Sequence, residues 1–194
     1  MRKASINRKT SETAISAELA LDGKGVSQID TGIGFFDHML TLMTKHGLFE
    51  LTLRCDGDLE VDQHHSVEDT GIVLGQAFKE ALGDKAGITR YASVTTPMDE
   101  ALSFISVDVS GRPYLVYNVD GLKDKAGTFD TELTEEFFRA FVNHAGITLH
   151  INLAYGSNTH HIIESIFKGF GRVLDQAASV SGRIEGIPST KGSL

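Results

Sequence analysis

Two His-His pairs, each followed by a glutamate at the same spacing, are the residues of this sequence best suited to chemistry. The first is HHSVE at 64–68 and the second is HHIIE at 160–164. Imidazole and carboxylate groups together suit Mn, Zn, Fe or Ni, and spacing alone does not choose among these metals. The repeated pattern therefore predicts a metal site that uses His64, His65, Glu68, His160, His161 and Glu164.

Helix geometry predicts how such a motif divides its ligands. Residues three and four apart share a helix face, whereas neighbouring residues point about 100° apart. Glu68 then lies near both His64 and His65, but the two rings diverge, so one ion can hardly take both. Two motifs are therefore expected to hold two ions, between two helices or between subunits. The alternative is that each His pair merely caps a helix start or faces solvent.

The two motifs belong to an internal duplication. Segment 2–25 matches segment 90–113 at a shift of 88 residues, and the His-His motifs match at a shift of 96. His46 matches His144 at a shift of 98, so the shift drifts only by loop-sized gaps. Convergent amphipathic patterning explains shared apolar positions but not paired histidine motifs. We predict a first repeat at 1–86, a second at 87–182, and a tail at 183–194.

The elements that must position these motifs indicate an α+β fold with a sheet covered by helices. Alternating patterns predict half-buried strands, and apolar residues at helical spacing predict amphipathic helices. The strands fall at 13–21, 48–54, 101–109, 114–119 and 147–153, and the helices at 35–45, 64–82, 134–146 and 160–179. In each half the predicted elements follow the order strands, helix, strand, helix. This order predicts sheets with one face covered by helices.

Composition excludes several classes of protein. Of 194 residues, 41% are hydrophobic and 23% are charged, as in globular rather than disordered chains. The net charge of −8 and the lack of a basic run disfavour nucleic-acid and membrane-surface binding. No apolar run approaches the ~20 residues of a membrane span, and the N-terminus lacks the apolar stretch of a signal peptide. A single cysteine, Cys55, favours a reducing cytoplasm over a disulfide framework.

Other histidines are weaker candidates. His38 precedes the first motif, and its counterpart in the second repeat is Glu136, so both could add metal ligands. His46 and His144 precede glycine-containing turns, where a histidine caps a helix C-terminus as readily as it binds a metal. His150 lies in a strand and is predicted to be structural or to support a ligand.

Possible phosphate-binding and acid–base residues complete the set. Arginine is the usual bidentate clamp for phosphate, although Arg90 and Arg112 could equally be ordinary surface residues. The tail residues Ser189, Thr190 and Lys191 could wrap a phosphate or form a frayed terminus. Glu12 and Asp99 occupy matched places after strands and could transfer protons, and the sequence does not separate Asp99 from Glu100.

Taken together, the motifs resemble the imidazoleglycerol-phosphate dehydratase family of histidine biosynthesis. The resemblance covers nearly the whole chain, and several motifs in order make it specific. The motifs are RKTSET (8–13), GFFDHML (34–40), HHSVEDTGI (64–72), PMDEAL (97–102), VDVSGRPY (107–114), GTFDTELTEEFFRA (127–140), HHIIESIFK (160–168) and PSTKG (188–192).

The resemblance implies a lyase that dehydrates D-erythro-imidazole glycerol phosphate to imidazole acetol phosphate. It implies two manganese ions per active site, a duplicated half-domain of the ribosomal protein S5 domain 2-like type, and a 24-subunit homo-oligomer with active sites between subunits. The length resembles the monofunctional form, without a fused phosphatase.

The resemblance also implies roles for individual residues. An eighth ligand position falls on Glu136, where many relatives have histidine. The implied metal ligands are His38, His64, His65, Glu68, Glu136, His160, His161 and Glu164. The implied substrate contacts are Glu12, Arg90, Arg112, Ser189, Thr190 and Lys191.

A physical argument links these groups to the reaction. A metal on the substrate imidazole would make the ring an electron sink, so we expect an imidazolate-type intermediate. Glu12 is the first candidate for the proton shuttle and Asp99 the second. Two rival functions are a dinuclear hydrolase with a metal-bound water and a non-enzymatic protein whose ions only join subunits.

Overall fold

Two four-stranded sheets and four long helices make up the computed structural model, which describes residues 2–194. The first half contains β1 (Lys3–Lys9), β2 (Thr13–Ala20), β3 (Val26–Asp30), α1 (Gly34–His46), β4 (Glu50–Gly57) and α2 (His64–Leu82). The second half contains β5 (Tyr91–Met98), β6 (Ala101–Asp108), β7 (Tyr114–Asn118), a short hairpin of β8 (Lys125–Ala126) and β9 (Phe129–Asp130), α3 (Leu133–Ala145), β10 (Thr148–Tyr155) and α4 (Thr159–Ala178).

The two sheets have the same topology. The strand orders are β1-β2-β4-β3 and β5-β6-β10-β7, and in each sheet only the last pair is parallel. Each strand of one sheet thus has a counterpart in the other, which confirms the predicted α+β fold with a duplicated half-domain. The boundaries at residues 86 and 182 stay a prediction.

One face of each sheet is covered, as the alternating pattern predicted. On β2, Ile15 and Ala17 are buried while Ser16 and Glu18 are exposed, because successive strand residues point to opposite faces. The same alternation runs along β6, where Ile105 is fully buried. Burial of these apolar faces against helices therefore stabilises both sheets.

The sequence pattern did not predict β1, β3, β5 or the β8–β9 hairpin. Strands β1, β3 and β5 are edge strands whose inward positions alternate with exposed ones but are mostly only half-buried. These positions carry few large apolar side chains, so the apolar alternation that identifies a strand is weak in the sequence. The strand predicted at 48–54 begins instead at Glu50. Leu48 has a φ of 55°, a left-handed conformation that a strand does not accommodate.

The helices pack across the halves rather than within them: α1 lies against α4, and α2 lies against α3. Gly171 on α4 is the point of closest approach to α1. A β-carbon at Gly171 would lie 2.2 Å from the Met43 carbonyl oxygen and 3.0 Å from the Gly47 backbone nitrogen. The missing side chain therefore lets the two helix backbones nearly touch.

Gly75 does the same between α2 and α3. A β-carbon there would lie 2.6 Å from the Phe141 carbonyl oxygen and 3.0 Å from the Ala145 backbone nitrogen. These partners follow their counterparts on α1 by 98 residues, and Gly171 follows Gly75 by 96. The helix contacts thus repeat with the same shifts that relate the two halves of the sequence.

Phenylalanines fill the space between the helices. Phe137 on α3 is fully buried, and its ring contacts Phe36 of α1 and Phe167 of α4 at centroid distances of 5.4 and 5.3 Å. Such tilted and offset contacts favour aromatic rings beyond the area that they bury. The core is therefore one continuous cluster shared by both halves. Within residues 2–194, no helix is long and apolar enough to cross a membrane.

We expect Gly171→Ala to lower the free energy of unfolding by about 1–3 kcal/mol, measured by urea denaturation of chelator-treated protein. Helix propensity alone would make the alanine variant about 1 kcal/mol more stable, because alanine favours a helix over glycine. A loss of stability would therefore come from the clash with Met43. Gly182→Ala is the matched control, because its new β-carbon would contact nothing within 4 Å. Equal stability of the two variants would contradict the packing argument.

Candidate metal centre

His38, His160 and Glu164 form a potential metal-binding cluster at the contact between α1 and α4. Their donor atoms all lie within 4.8 Å of one another. The Glu164 Oε2 atom is 3.2 Å from His160 Nε2 and 3.8 Å from His38 Nε2. His38 comes from the first half and the other two from the second, so close packing of α1 on α4 creates the cluster.

Local hydrogen bonds fix both ends of this cluster. The Asn158 side chain caps α4 by accepting hydrogen bonds from the backbone N–H groups of His160 and His161. Before α1, the backbone and hydroxyl of Thr31 both donate to Asp37, the residue preceding His38. The two helix starts are thereby held in place, and the ligands with them.

Glu164 is a buried carboxylate whose two oxygens have different partners. Oε1 pairs with Lys168 one turn later on α4, and Oε2 faces the two histidines. Burial by itself raises the pKa of Glu164, but hydrogen bonds from Lys168 and His160 outweigh it, so the pKa lies below its ordinary value. The carboxylate is therefore ionised and offers Oε2 as a ligand. The sequence analysis did not identify Lys168.

The equivalent residues of the other helix pair are more open. His64 Nε2 lies 3.7 Å from Glu68 Oε2, and both side chains are 43% exposed. Glu136 lies on α3, the helix packed against α2, but among residues 2–194 it has no hydrogen bond or ion pair to either residue. The structure places these three predicted ligands on adjoining helices without bringing them into one cluster.

His65 points away from His64, as the helix argument predicted. The two ring planes are nearly perpendicular, at 88°, with centroids 6.0 Å apart. His65 Nδ1 lies 3.0 Å from a carboxylate oxygen of Asp58, in the loop after β4, and this hydrogen bond raises the pKa of His65. On the other side of the ring, Nε2 lies 3.7 Å from Glu12 Oε1.

His161 has a matching environment. Its Nδ1 lies 2.7 Å from Glu100 Oε2, and its Nε2 lies 3.9 Å from Asp99 Oδ2. Glu100 Oε1 also accepts backbone hydrogen bonds from Ser157 and Asn158. The His161 ring and these N–H groups lower the pKa of Glu100 to about 2, and Glu100 in turn raises the pKa of His161. The structure thus distinguishes Glu100, whose two carboxylate oxygens both accept hydrogen bonds, from Asp99, whose side chain is 73% exposed.

A buried ion pair anchors the turn that carries Glu12. Asp69 on α2 is 6% exposed, pairs with Arg8 of β1 and accepts a hydrogen bond from the Thr13 hydroxyl. The Thr10 side chain closes the turn by accepting from the Glu12 and Thr13 backbone N–H groups. This network ties the turn to the helix that bears His65.

Arg90 and Arg112 are both brought to the tail. The Arg90 guanidinium pairs with Asp108 and donates a hydrogen bond to the Pro188 carbonyl at 3.0 Å. The far end of the tail, Leu194, lies against Gly111, the neighbour of Arg112. Within residues 2–194, no hydrogen bond or ion pair joins either arginine to the His38 cluster. The tail residues Ser189, Thr190 and Lys191 lie between these two points.

The remaining histidines lie outside the candidate metal cluster. His144 Nδ1 donates a hydrogen bond to the Ala140 carbonyl of its own helix at 2.8 Å, so the ring lies along α3. His46 lies instead in a cleft with Lys168 and Arg172, where burial and these two charges lower the pKa of His46. His150 is exposed on β10.

Comparison with known proteins decides the family. The family model described as imidazoleglycerol-phosphate dehydratase matches residues 31–174. A protein of that name from Oceanobacillus iheyensis is 70% identical over 194 residues, all of both chains. One from Acetivibrio thermocellus is 58% identical over 193 residues, which cover all of this chain and 99% of the relative.

The chain belongs to the imidazoleglycerol-phosphate dehydratase family. It is therefore a dehydratase, a hydro-lyase of histidine biosynthesis, as the resemblance implied.

Solved structures of the family have the same fold. The Staphylococcus aureus enzyme superimposes with a TM-score of 0.84 at 45% identity, covering 92% of this chain and 99% of that one. The Pyrococcus furiosus enzyme, in complex with (S)-C348, gives 0.85 at 36% identity, covering 97% and 100%. The duplicated architecture described above is thus the architecture of this family.

We expect Asp69→Asn to lower the free energy of unfolding by about 1–3 kcal/mol, because it removes the charged partner of Arg8. The measurement is urea denaturation followed by circular dichroism. Asp30→Asn is the control, since Asp30 is exposed at the end of β3 and its carboxylate has no hydrogen bond or ion pair among residues 2–194. An Asp69→Asn protein as stable as this control would show that the pair does not anchor the turn.

Proposed function

We propose that this enzyme dehydrates D-erythro-imidazole glycerol phosphate to imidazole acetol phosphate at a site that holds two Mn²⁺ ions and takes ligands from more than one subunit. The observation that supports it most directly is the cluster of His38, His160 and Glu164 between the halves. The rest of the proposal extends this cluster by the internal symmetry of the chain.

The donor groups fit a divalent transition metal. Two imidazole nitrogens and one ionised carboxylate oxygen converge from helices whose backbones approach closely at Gly171. Lys168 occupies only the other oxygen of Glu164. Histidine with carboxylate suits Mn²⁺ as well as Zn²⁺ or Fe²⁺, and manganese is the choice implied by the family resemblance.

We place the second ion at the equivalent point of the other helix pair. The shifts that relate the halves convert His38, His160 and Glu164 into Glu136, His64 and Glu68. Because α2 packs on α3 as α4 packs on α1, we expect Glu136 to serve the ion beside α2 as His38 serves the ion beside α4. His65 and His161 point away from both groups, so we assign them to the ions of neighbouring subunits.

Bound Mn²⁺ would supply Lewis acidity at a substrate ring nitrogen, which makes the imidazole ring an electron sink. The protein must then remove a proton from the carbon beside the ring and release the hydroxyl group as water. Glu12 is suited to hold this proton, because its half-exposed carboxylate lies on the Nε2 side of His65. Asp99 has the equivalent place beside His161. Loss of the proton would give an imidazolate-type form of the substrate.

The phosphate would lie away from this chemistry. Arg90, Arg112 and Lys191 are cationic groups at or beside the tail, and Ser189 and Thr190 supply hydroxyls. A grip on a remote, unreacting group provides binding energy that orients the reacting carbon. Arg90 is already held by Asp108, so its orientation is fixed before substrate binds.

Sites shared between subunits require an assembly, and we propose the 24-subunit particle that the family resemblance implies. A particle stabilised by interface ions would combine the catalytic and the metal-joined functions that the sequence left open. We also propose that the enzyme acts in the cytoplasm, where the lone buried thiol of Cys55 stays reduced.

The first test is dehydration of imidazole glycerol phosphate by chelator-stripped protein, before and after addition of Mn²⁺. We expect product only with the metal. Release of inorganic phosphate in place of the dehydrated product would favour the hydrolase. A change of particle size on metal removal, with no reaction in either state, would favour the purely assembling protein.

The second test replaces the proposed proton carrier. We expect Glu12→Gln to reduce kcat by about 10²–10⁴-fold while substrate binding is retained, because the amide fills the same space but cannot take a proton. Glu18→Gln is the control, since Glu18 is exposed on the outer face of β2. Full turnover by the Glu12→Gln enzyme would remove Glu12 from this role.

A further inference from the structure

Two carboxylates outside the proposed ligand set contact the two histidines that point away from the helix clusters. Asp58 lies 3.0 and 3.2 Å from His65 Nδ1, and Glu100 lies 2.7 Å from His161 Nδ1. Neither carboxylate belongs to the His38 cluster. Among residues 2–194, these are the only hydrogen bonds that either imidazole ring makes to a side chain.

A carboxylate at Nδ1 determines how an imidazole binds a metal. A neutral imidazole has one N–H and one lone pair, and a carboxylate accepts only the N–H. The proton is therefore held on Nδ1, and the lone pair is left on Nε2. Metal-binding histidines typically have such a partner, which fixes the ring orientation and increases the basicity of the ligating nitrogen.

The outward side of each ring agrees with this arrangement. The groups beside Nε2 are Glu12 at 3.7 Å and Asp99 at 3.9 Å, both beyond hydrogen-bond distance. Each Nε2 thus faces a space bordered by a further carboxylate.

The two contacts come from positions that the duplication does not relate. Glu100 is in the turn between β5 and β6, and its counterpart by sequence is Glu12 in the first half. Asp58 follows β4, and the corresponding segment after β10 supplies Ser157, whose backbone N–H holds Glu100. Each half has therefore reached the same carboxylate–imidazole contact by a different residue, which points to a requirement for the contact itself.

Glu100 is held through its carboxylate, and Asp58 through its backbone, independently of the histidines. Glu100 Oε1 accepts the Ser157 and Asn158 N–H groups while Oε2 takes the ring. The Asp58 backbone N–H donates to the Glu12 carbonyl, and its side chain is only 19% exposed. A carboxylate fixed in this way can orient a ring that would otherwise turn freely.

We infer that Asp58 and Glu100 are positioning residues that hold His65 and His161 with Nε2 directed outward as a metal ligand. This inference rests on the proposed function, in which these two nitrogens complete the ions of neighbouring subunits. It also gives different roles to two residues that the duplication relates: Glu12 stays available for proton transfer, whereas Glu100 holds His161.

The test is Mn²⁺ binding to the assembled protein, followed by electron paramagnetic resonance of free and bound Mn²⁺. We expect Asp58→Asn and Glu100→Gln each to weaken Mn²⁺ affinity by about 10–100-fold and to change the spectrum of the bound ion. Asp58→Glu and Glu100→Asp keep the charge and should restore part of the affinity. Asp56→Asn and Glu18→Gln are the controls, because both residues are exposed on strands and should bind Mn²⁺ like the wild type.

Three results would overturn the inference. Wild-type affinity in both amide variants would show that the contacts do not position the ligands, while leaving the proposed function intact. Weaker binding that the charge-retaining variants do not restore, with a lower melting temperature of the metal-free protein, would show a merely structural contact. Absence of Mn²⁺ binding by the wild type would contradict the proposed function and, with it, this inference.

Discussion

The contact of helix backbones at Gly75 and Gly171 is the constraint on which the rest of the structure depends. Each glycine lets a helix of one half approach a helix of the other to a distance that any side chain would prevent. The halves therefore share one core, in which their helices pack on one another while each sheet is covered by helices of its own half. The His38 cluster exists only because α1 and α4 meet in this way, so packing and ligand geometry have the same origin.

The angle between neighbouring helix residues is the second organising feature. His160 turns toward α1 and joins His38, while His161 turns toward the loops and meets Glu100. The first turn of α4 thus contributes adjacent residues to two separate sites. In the proposed two-ion site, each subunit therefore carries histidines that can bind only the ions of neighbouring subunits. Catalysis would then depend on assembly.

Duplication preserved the backbone and let the side chains diverge. The turn that carries Glu12 has three residues between β1 and β2, whereas the turn that carries Glu100 has two between β5 and β6. The shorter turn directs Glu100 back toward His161 Nδ1, while Glu12 faces His65 Nε2. Equivalent positions in sequence have therefore come to contact opposite sides of equivalent rings.

The sequence by itself determined the helices, the central strands and the family. Apolar periodicity gave all four helices to within about a residue at each end, because burial of one face imposes a period that the sequence must show. The paired motifs identified the duplication and the metal-binding residue types, and the ordered motifs identified the family. Edge strands β1, β3 and β5 were not predicted because their inward positions are mostly only half-buried and carry few large apolar side chains.

Only the tertiary structure decided which of these residues meet. It joined His38 to His160 and Glu164 across more than 120 residues of sequence, and it separated Glu100 from Asp99. It also revealed the contacts of Asp58, Asp69 and Lys168, to which the sequence assigned no role. The physical reason is that side-chain contacts depend on turn length, helix approach and rotamer. These are properties of the packed chain, and a one-dimensional pattern does not contain them.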